Sequence, residues 1–206
     1  LLSANSTYRF TPTNNTTLTS TEQNIKTYKK GETLISNIAN SNFSGLVLSG
    51  LIYLIGENTN SERCIIDYFE KGDLLYQQTL LQLSDNTFYV LAKTNCEISL
   101  VNLQSFTLNS PKSENNLVNL LNKVERKRTT HTYILQQRKL RNKLLLYFKY
   151  LSNKHHKSVI TLPLCYTDLA DYLATDRSAL MRELKRLNDD KLIKSEKRKI
   201  ILLINL

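Results

Sequence analysis

Glycine and proline are scarce in this chain of 206 residues, with five of one and three of the other. The usual punctuation of turns is therefore thin, and corners must be found from the few glycines that remain. Tryptophan is absent and methionine occurs once, at Met181. Cysteine occurs three times, at Cys64, Cys96 and Cys165, widely spaced and without a CxxC pair. That spacing argues against a disulfide scaffold and against a zinc site, and it fits a reducing cytoplasm. The histidines are His131, His155 and His156, so the first 130 residues hold none. A metal-dependent barrel enzyme and a histidine-ligated haem both lack their ligands there. No apolar run approaches the roughly 18 residues of a membrane span. The opening Leu1-Leu2-Ser3-Ala4-Asn5 has neither the basic nor the apolar segment of a secretory signal. No paired carboxylates, nucleophile–base set or phosphate loop stands out, so catalysis is not expected.

What the chain has is basic charge, unevenly placed. Residues 137–206 hold sixteen Lys or Arg against seven Asp or Glu, a net of +9. Residues 1–111 hold seven against nine, a net of −2, and residues 112–136 hold five against two, a net of +3. A mildly acidic front and a basic tail divide the labour. Such a tail attracts anionic nucleic acid in a salt-dependent way.

The pattern along the chain changes twice. Residues 1–24 are rich in Ser, Thr and Asn, with room for one short helix or edge strand. From Ile25 to about Phe106, short apolar runs alternate with turns: Lys29 to Glu32, Ser49-Gly50, Glu57 to Glu62 and Glu70 to Asp73. Many short strands with turns between them predict an antiparallel sandwich or jelly roll. Leu74 to Leu83 allows a short helical interruption. After Pro111, residues 113 to about 136 contain no Gly and no Pro and predict one long helix. Leu117, Leu120, Leu121, Val124 and Leu135 form its apolar stripe, the pattern of a helix that pairs with a second chain. Packing of that stripe on the chain's own sheet domain is the alternative.

The basic tail predicts a nucleic-acid module. Leu140, Leu144, Leu145, Phe148 and Leu151 mark an amphipathic helix, and residues 158–162 a short strand. Tyr166 to Leu173 is a second helix, with Asp168 in its first turn, where a carboxylate suits the helix dipole. Ala174-Thr175-Asp176 intervenes, and Asp176 is a good N-cap for a third helix over residues 177–188. This is a helix-turn-helix whose second helix offers its N-terminal half to the major groove. Arg177, Ser178 and Arg182 are the expected base-reading residues, since an Arg fork matches guanine O6 and N7. Lys185 and Arg186, deeper in the helix, are expected on backbone phosphate. Two strands around Glu196 to Lys199 predict a wing with a basic tip, whose Lys197 and Arg198 are expected on phosphates.

At these residues the chain resembles the CRP/FNR family of bacterial transcription regulators. In the first half the resemblance rests on Lys30-Gly31-Glu32, Leu48-Ser49-Gly50 and Tyr68-Phe69-Glu70-Lys71-Gly72-Asp73. In the second it rests on Thr167 to Leu173 and on Asp176-Arg177-Ser178-Ala179-Leu180-Met181-Arg182-Glu183-Leu184. The resemblance implies an α+β chain in three parts. These are an N-terminal antiparallel β jelly-roll (double-stranded β-helix) sensor domain over 1–111, a dimerisation helix over 112–137, and a C-terminal winged helix-turn-helix over 138–206. It also implies a cytoplasmic homodimer on a near-palindromic double-stranded DNA site, in contact with RNA polymerase. Ser178 stands where the cyclic-AMP receptor has a base-reading glutamate, so the usual operator is not implied.

The sensor signatures of that family are missing. Cyclic-nucleotide members place an Arg on the buried phosphate, whereas here no Arg lies between Arg63 and Arg126. Lys93 offers at most a point charge. Oxygen-sensing members hold an iron–sulfur cluster on four cysteines, and this chain has three. No cofactor and no metal is therefore expected, cyclic AMP is not the expected effector, and an unidentified small-molecule effector is left open. An apolar effector would meet residues such as Leu46, Leu48, Ile66 and Tyr68. The rival reading is a ligand-binding β-barrel protein whose basic tail touches nucleic acid or protein without specificity.

Overall fold

Alternating apolar residues fold the first half into two facing antiparallel sheets. A computed structural model of the protein describes residues 25–35, 44–57, 62–76, 88–100 and 111–203. One sheet joins β1 (Ile25–Tyr28), β8 (Cys96–Leu100), β3 (Ser44–Ser49) and β6 (Leu74–Tyr76), in that order. The other joins β2 (Thr33–Ile35), β7 (Tyr89–Ala92), β4 (Ile52–Glu57) and β5 (Arg63–Phe69). All pairings are antiparallel, as expected of a jelly roll. Gly50 turns the corner from β3 to β4 at φ +91°, and a Cβ there would collide with the Asn95 carbonyl and with Cys96.

Val47, Ile52, Leu54, Phe69, Leu75, Val90, Ala92, Cys96 and Ile98 pack together between the sheets. This corrects the expected effector lining. Leu46 and Leu48 are only half-buried, because Val47 is the β3 residue that points inward. Tyr68 is buried but points away from that core, into a cluster with the second half of the chain. Ile66 alone of the four lies against the barrel core. A second correction concerns Leu74: residues 74–76 form strand β6 on β3, not a helix. The expectations for residues 1–24 and for 77–87 lie outside the described residues.

The long helix α1 runs Pro111–Leu135, and α2 runs Leu140–His155. The face of α1 that carries Val124, Lys127, His131 and Ile134 repeats every three to four residues and packs on the chain itself. Val124 meets Leu74, with Leu120 and Leu121 beside them. Of the stripe expected at a seam with a second chain, Leu120, Leu121 and Val124 thus lie against the chain's own barrel, while the side chain of Leu117 lies outside the described residues. Lys127 explains why, since its buried ammonium reaches Asp67 at 2.8 Å and Asp73 at 3.9 Å and donates to the Tyr68 carbonyl. Those bonds hold this side of the helix down on β5 and β6. Leu135 is half-buried.

The basic tail follows the expected order. Strand β9 (Val159–Thr161) leads to α3 (Tyr166–Tyr172) and α4 (Arg177–Asp189), then β10 (Ile193–Glu196) and β11 (Lys199–Leu202). The three strands make a small antiparallel sheet in the order β10-β11-β9. Leu144, Phe148, Leu151, Leu169, Leu180, Leu184, Leu187, Ile193 and Ile200 share one core. That core continues into the barrel through Tyr53, Ile55, Ile65 and Tyr68.

Candidate nucleic-acid interface

Side-chain capping builds the helix-turn-helix. Asp176 accepts a hydrogen bond from the Ala179 N–H at 2.7 Å and starts α4. Cys165 takes the same place before α3, its sulfur accepting from the Asp168 N–H. Between the helices Ala174 stands at φ 49°, the left-handed turn that separates them. The stripe Leu180, Leu184 and Leu187 is buried, while Arg177, Ser178, Met181, Arg182, Lys185 and Arg186 are all exposed. The three residues expected to read bases and the two expected on phosphate therefore share the solvent side of one helix.

That side is not uniformly free. Arg186 pairs with Glu183 at 3.3 Å, one turn earlier. Glu183 also takes Arg141 of α2 at 2.8 Å, and Arg141 reaches Asp190 at 2.6 Å, which ties α2 to the middle and the C-terminal end of α4. Arg177, Arg182 and Lys185 project from the helix without an ion pair to an acidic side chain among the described residues.

The wing is tighter than the sequence suggests. Glu196 and Lys199 pair across the sheet, so its tip is only Lys197 and Arg198. Lys197 adopts φ 52°, and its carbonyl accepts from the Tyr166 hydroxyl, which pins the tip to the start of α3. Arg198 folds back: its Nε donates to the Leu162 carbonyl at 3.1 Å, and Nη2 donates to the carbonyls of Leu162 and Pro163. Only the Nη1 edge of that guanidinium is left for a phosphate, whereas Lys197 and Lys199 stay exposed.

The largest surprise is Asp168. Its carboxylate does not serve the helix dipole alone but reaches into the barrel. It accepts from the Tyr53 hydroxyl at 2.9 Å, pairs with Lys93 at 2.8 Å and accepts from the Cys165 thiol at 3.0 Å. Burial pushes this carboxyl up, but the bonds from Cys165, Lys93 and Tyr53 outweigh it and hold the group below the ordinary aspartate range. Lys93, weighed in the sequence as a charge for a ligand phosphate, is thus committed to the DNA-binding half. Lys154 of α2 pairs with Glu70 in the same fashion, and the Tyr147 hydroxyl meets that of Tyr68 at 3.3 Å. None of these ties between the two halves was legible in the sequence, because each joins residues at least 75 positions apart.

Burial pushes the Cys64 and Cys96 thiols above the ordinary range, which makes them poor nucleophiles near neutral pH. Among the described residues no group of three His, Cys, Asp or Glu is placed to hold a metal ion. Nor is any helix among them long and apolar enough to cross a membrane.

Comparison with known proteins agrees with this geometry. Residues 128–206 match the model of the Crp-like helix-turn-helix domain family. The "Probable transcriptional regulator flp" of Lacticaseibacillus casei is 27% identical over 151 residues, which span 70% of this chain and 68% of that protein. Among solved structures, FixK2 from Bradyrhizobium japonicum is 17% identical with a TM-score of 0.67, covering 86% of this chain and 91% of its own. A cyclic nucleotide-binding domain containing protein from Listeria monocytogenes is 14% identical with a TM-score of 0.70, covering 86% and 87%. At such identities the structures speak for the fold. The resemblance to the CRP/FNR regulators thus holds in the sequence of residues 128–206 and in the fold over 86% of the chain.

Proposed function

We infer, from a Crp-like helix-turn-helix behind a CRP/FNR-type barrel, that this chain is a DNA-binding transcription regulator acting as a homodimer on near-palindromic promoter sites. The observation that carries this is the second helix of the motif. It is capped by Asp176, buried through Leu180, Leu184 and Leu187, and bare on the side that holds Arg177, Ser178, Arg182 and Lys185. Arg182 and Arg177 fork to guanine edges, and Ser178 supplies a hydroxyl to a base or phosphate. Lys185, Lys197 and Arg186 draw on phosphates and add salt-dependent affinity. Arg198 contributes less to DNA and more to fixing the wing.

The homodimer uses the remaining side of α1. Val118, Leu121, Glu125, Arg128, Thr132 and Leu135 follow one another by three, four, three, four and three residues, the spacing of a coiled-coil seam. Val118 is 52% exposed within one chain, and Glu125 pairs with Arg128 at 3.6 Å in the middle of the seam. Of the expected stripe Leu117, Leu120, Leu121, Val124 and Leu135, this seam keeps Leu121 and Leu135; Leu120 and Val124 pack toward Leu74, and the side chain of Leu117 lies outside the described residues.

The effector is not cyclic AMP in this proposal, because no Arg lies between Arg63 and Arg126 and Lys93 is spent on Asp168. RNA polymerase remains the partner implied by the family, and the chain carries out no catalysis. A titration of the full chain against duplexes selected from a random pool, and against unselected duplexes, tests the proposal. Selected duplexes bind at least a hundredfold tighter if the helix reads bases. Equal affinity for both pools favours instead a barrel protein with a loosely binding basic tail.

A further inference from the structure

We propose that Met181, the chain's only methionine, reads the methyl group of a thymine in each half-site. The proposal rests on the helix-turn-helix reading above and adds a specificity residue to it. Met181 stands one turn after Arg177 and Ser178 on α4 and one turn before Lys185. It takes no part in the buried stripe of Leu180, Leu184 and Leu187, and 39% of its surface is open to solvent. Single exposed apolar residues are ordinary on protein surfaces. This one lies in the first two turns of the second helix of the motif, the stretch that enters the major groove.

In that groove an apolar side chain has one matching base-edge group. Guanine, cytosine and adenine present hydrogen-bond donors and acceptors there, and only thymine adds a methyl carbon. A thioether pressed against a polar base edge strips water from it and returns no hydrogen bond, which is unfavourable. Against a thymine methyl the same side chain removes apolar surface from water on both sides. Met is unbranched with three rotatable bonds, so it can follow the methyl without moving the helix. Ser178 and Arg182 beside it supply the polar contacts, so the two kinds of recognition are divided between neighbours on one face.

Full-length protein would first select its sites from a randomised duplex pool. One thymine should recur at a fixed position in each half-site. That base would then be replaced by deoxyuridine, which lacks only the methyl group. Burial of one methyl is worth about 0.8 kcal/mol, so the unaltered protein should bind about fourfold more weakly per half-site replaced. Met181→Ala should bind the thymine and deoxyuridine duplexes equally, while its melting temperature stays that of the parent. Met181→Gln should shift the selected base toward adenine, whose N6 and N7 a carboxamide can fork.

A parent protein that selects a defined site yet tolerates deoxyuridine at every thymine overturns the role of Met181 and leaves DNA reading in place. A methyl effect that persists undiminished in Met181→Ala also overturns it, by assigning the methyl to another side chain. A pool that yields no preferred sequence overturns the underlying reading of α4 itself.

Discussion

The imidazole of His131 lies flat on the ring of Tyr172, with centroids 3.8 Å apart and planes 4° from parallel. One residue belongs to the long helix and the other to the first helix of the DNA-binding motif. The His131 Nε2–H donates to the Tyr172 carbonyl at 2.9 Å, which leaves Nδ1 unprotonated at neutral pH. Tyr172 in turn meets Tyr68 edge-on at 5.2 Å and Tyr147 at 5.9 Å. Burial pushes the hydroxyls of Tyr68, Tyr147 and Tyr172 upward, so all three stay neutral donors.

This stack should make stability depend on pH. Burial lowers the His131 pKa below its ordinary value. The bond to the Tyr172 carbonyl and the charge of Asp67 oppose that, and Lys127 and Lys143 reinforce it. The unfolded chain therefore takes up a proton at higher pH than the folded one. The stabilising contribution is complete above about pH 6.5 and is lost as the pH falls below it. His131→Phe keeps an aromatic ring on Tyr172 and removes the titration. Melting temperatures between about pH 7 and about pH 5 should fall more steeply for the parent than for His131→Phe. Parallel curves would show that His131 does not supply the dependence.

The helix-turn-helix was legible because its signals are local. Asp176 as a cap, the leucine spacing of α4 and the break at Ala174 all lie within some twenty residues. The strands of the barrel were legible for the same reason, from alternation and from Gly31, Gly50 and Gly72 at its corners. Which face of α1 packs on the barrel was not. Leucine spacing marks a stripe but not its occupant, and the occupant was decided by Lys127 finding Asp67 and Asp73 on distant strands. The hold on Arg198 was hidden as well, since a basic residue at a hairpin tip looks free until the carbonyls of Leu162 and Pro163 are seen beneath it.

The turn between α3 and α4 holds Ala174 in the left-handed region, where a side chain costs about 1–2 kcal/mol relative to glycine. Ala174→Gly should therefore raise the unfolding free energy by about 0.5–1 kcal/mol, after the added flexibility of the unfolded chain is subtracted. Urea unfolding monitored by circular dichroism would measure it. A loss of stability of similar size would mean that the methyl group packs more than it strains.

Charge placed on the outer side of α1 should separate the dimer without unfolding the chain. Val118→Glu combined with Thr132→Glu puts four carboxylates along the seam of two copies, and both positions are exposed in one copy. Sedimentation should show a monomer, and binding to a full site should weaken about a hundredfold or more as the second half-site loses its effective concentration. Val124→Glu is the contrasting variant. It should destabilise each chain, because Val124 is buried against Leu74. A dimer that survives the double substitution would place the seam elsewhere.

The two residues at the wing tip should behave differently. Lys197→Gln with Lys199→Gln should lower affinity for every duplex and flatten the dependence on salt by about two units of slope, with stability unchanged. Arg198→Gln should cost stability instead, about 1 kcal/mol, since it frees the part-buried Leu162 carbonyl and the more exposed Pro163 carbonyl that the guanidinium now satisfies. Thermal melts alongside fluorescence titrations at several salt concentrations separate the two effects. Equal changes in slope from both substitutions would put Arg198 on the phosphate backbone after all.

Asp168 fastens the start of the motif to Tyr53 and Lys93, while Lys154 fastens α2 to Glu70 and Lys127 fastens α1 to Asp67. Two of these attachments join the DNA-binding half to the barrel, the third holds down the helix that links them, and a shared core of buried side chains runs across the join. A DNA-binding domain on a loose tether must surrender its orientational freedom at the moment it docks, and that loss is subtracted from its affinity. Here the same freedom is given up when the chain folds. The bearing of α4 toward its groove is thus settled before DNA arrives, and the entropy of aiming is charged to folding rather than to recognition.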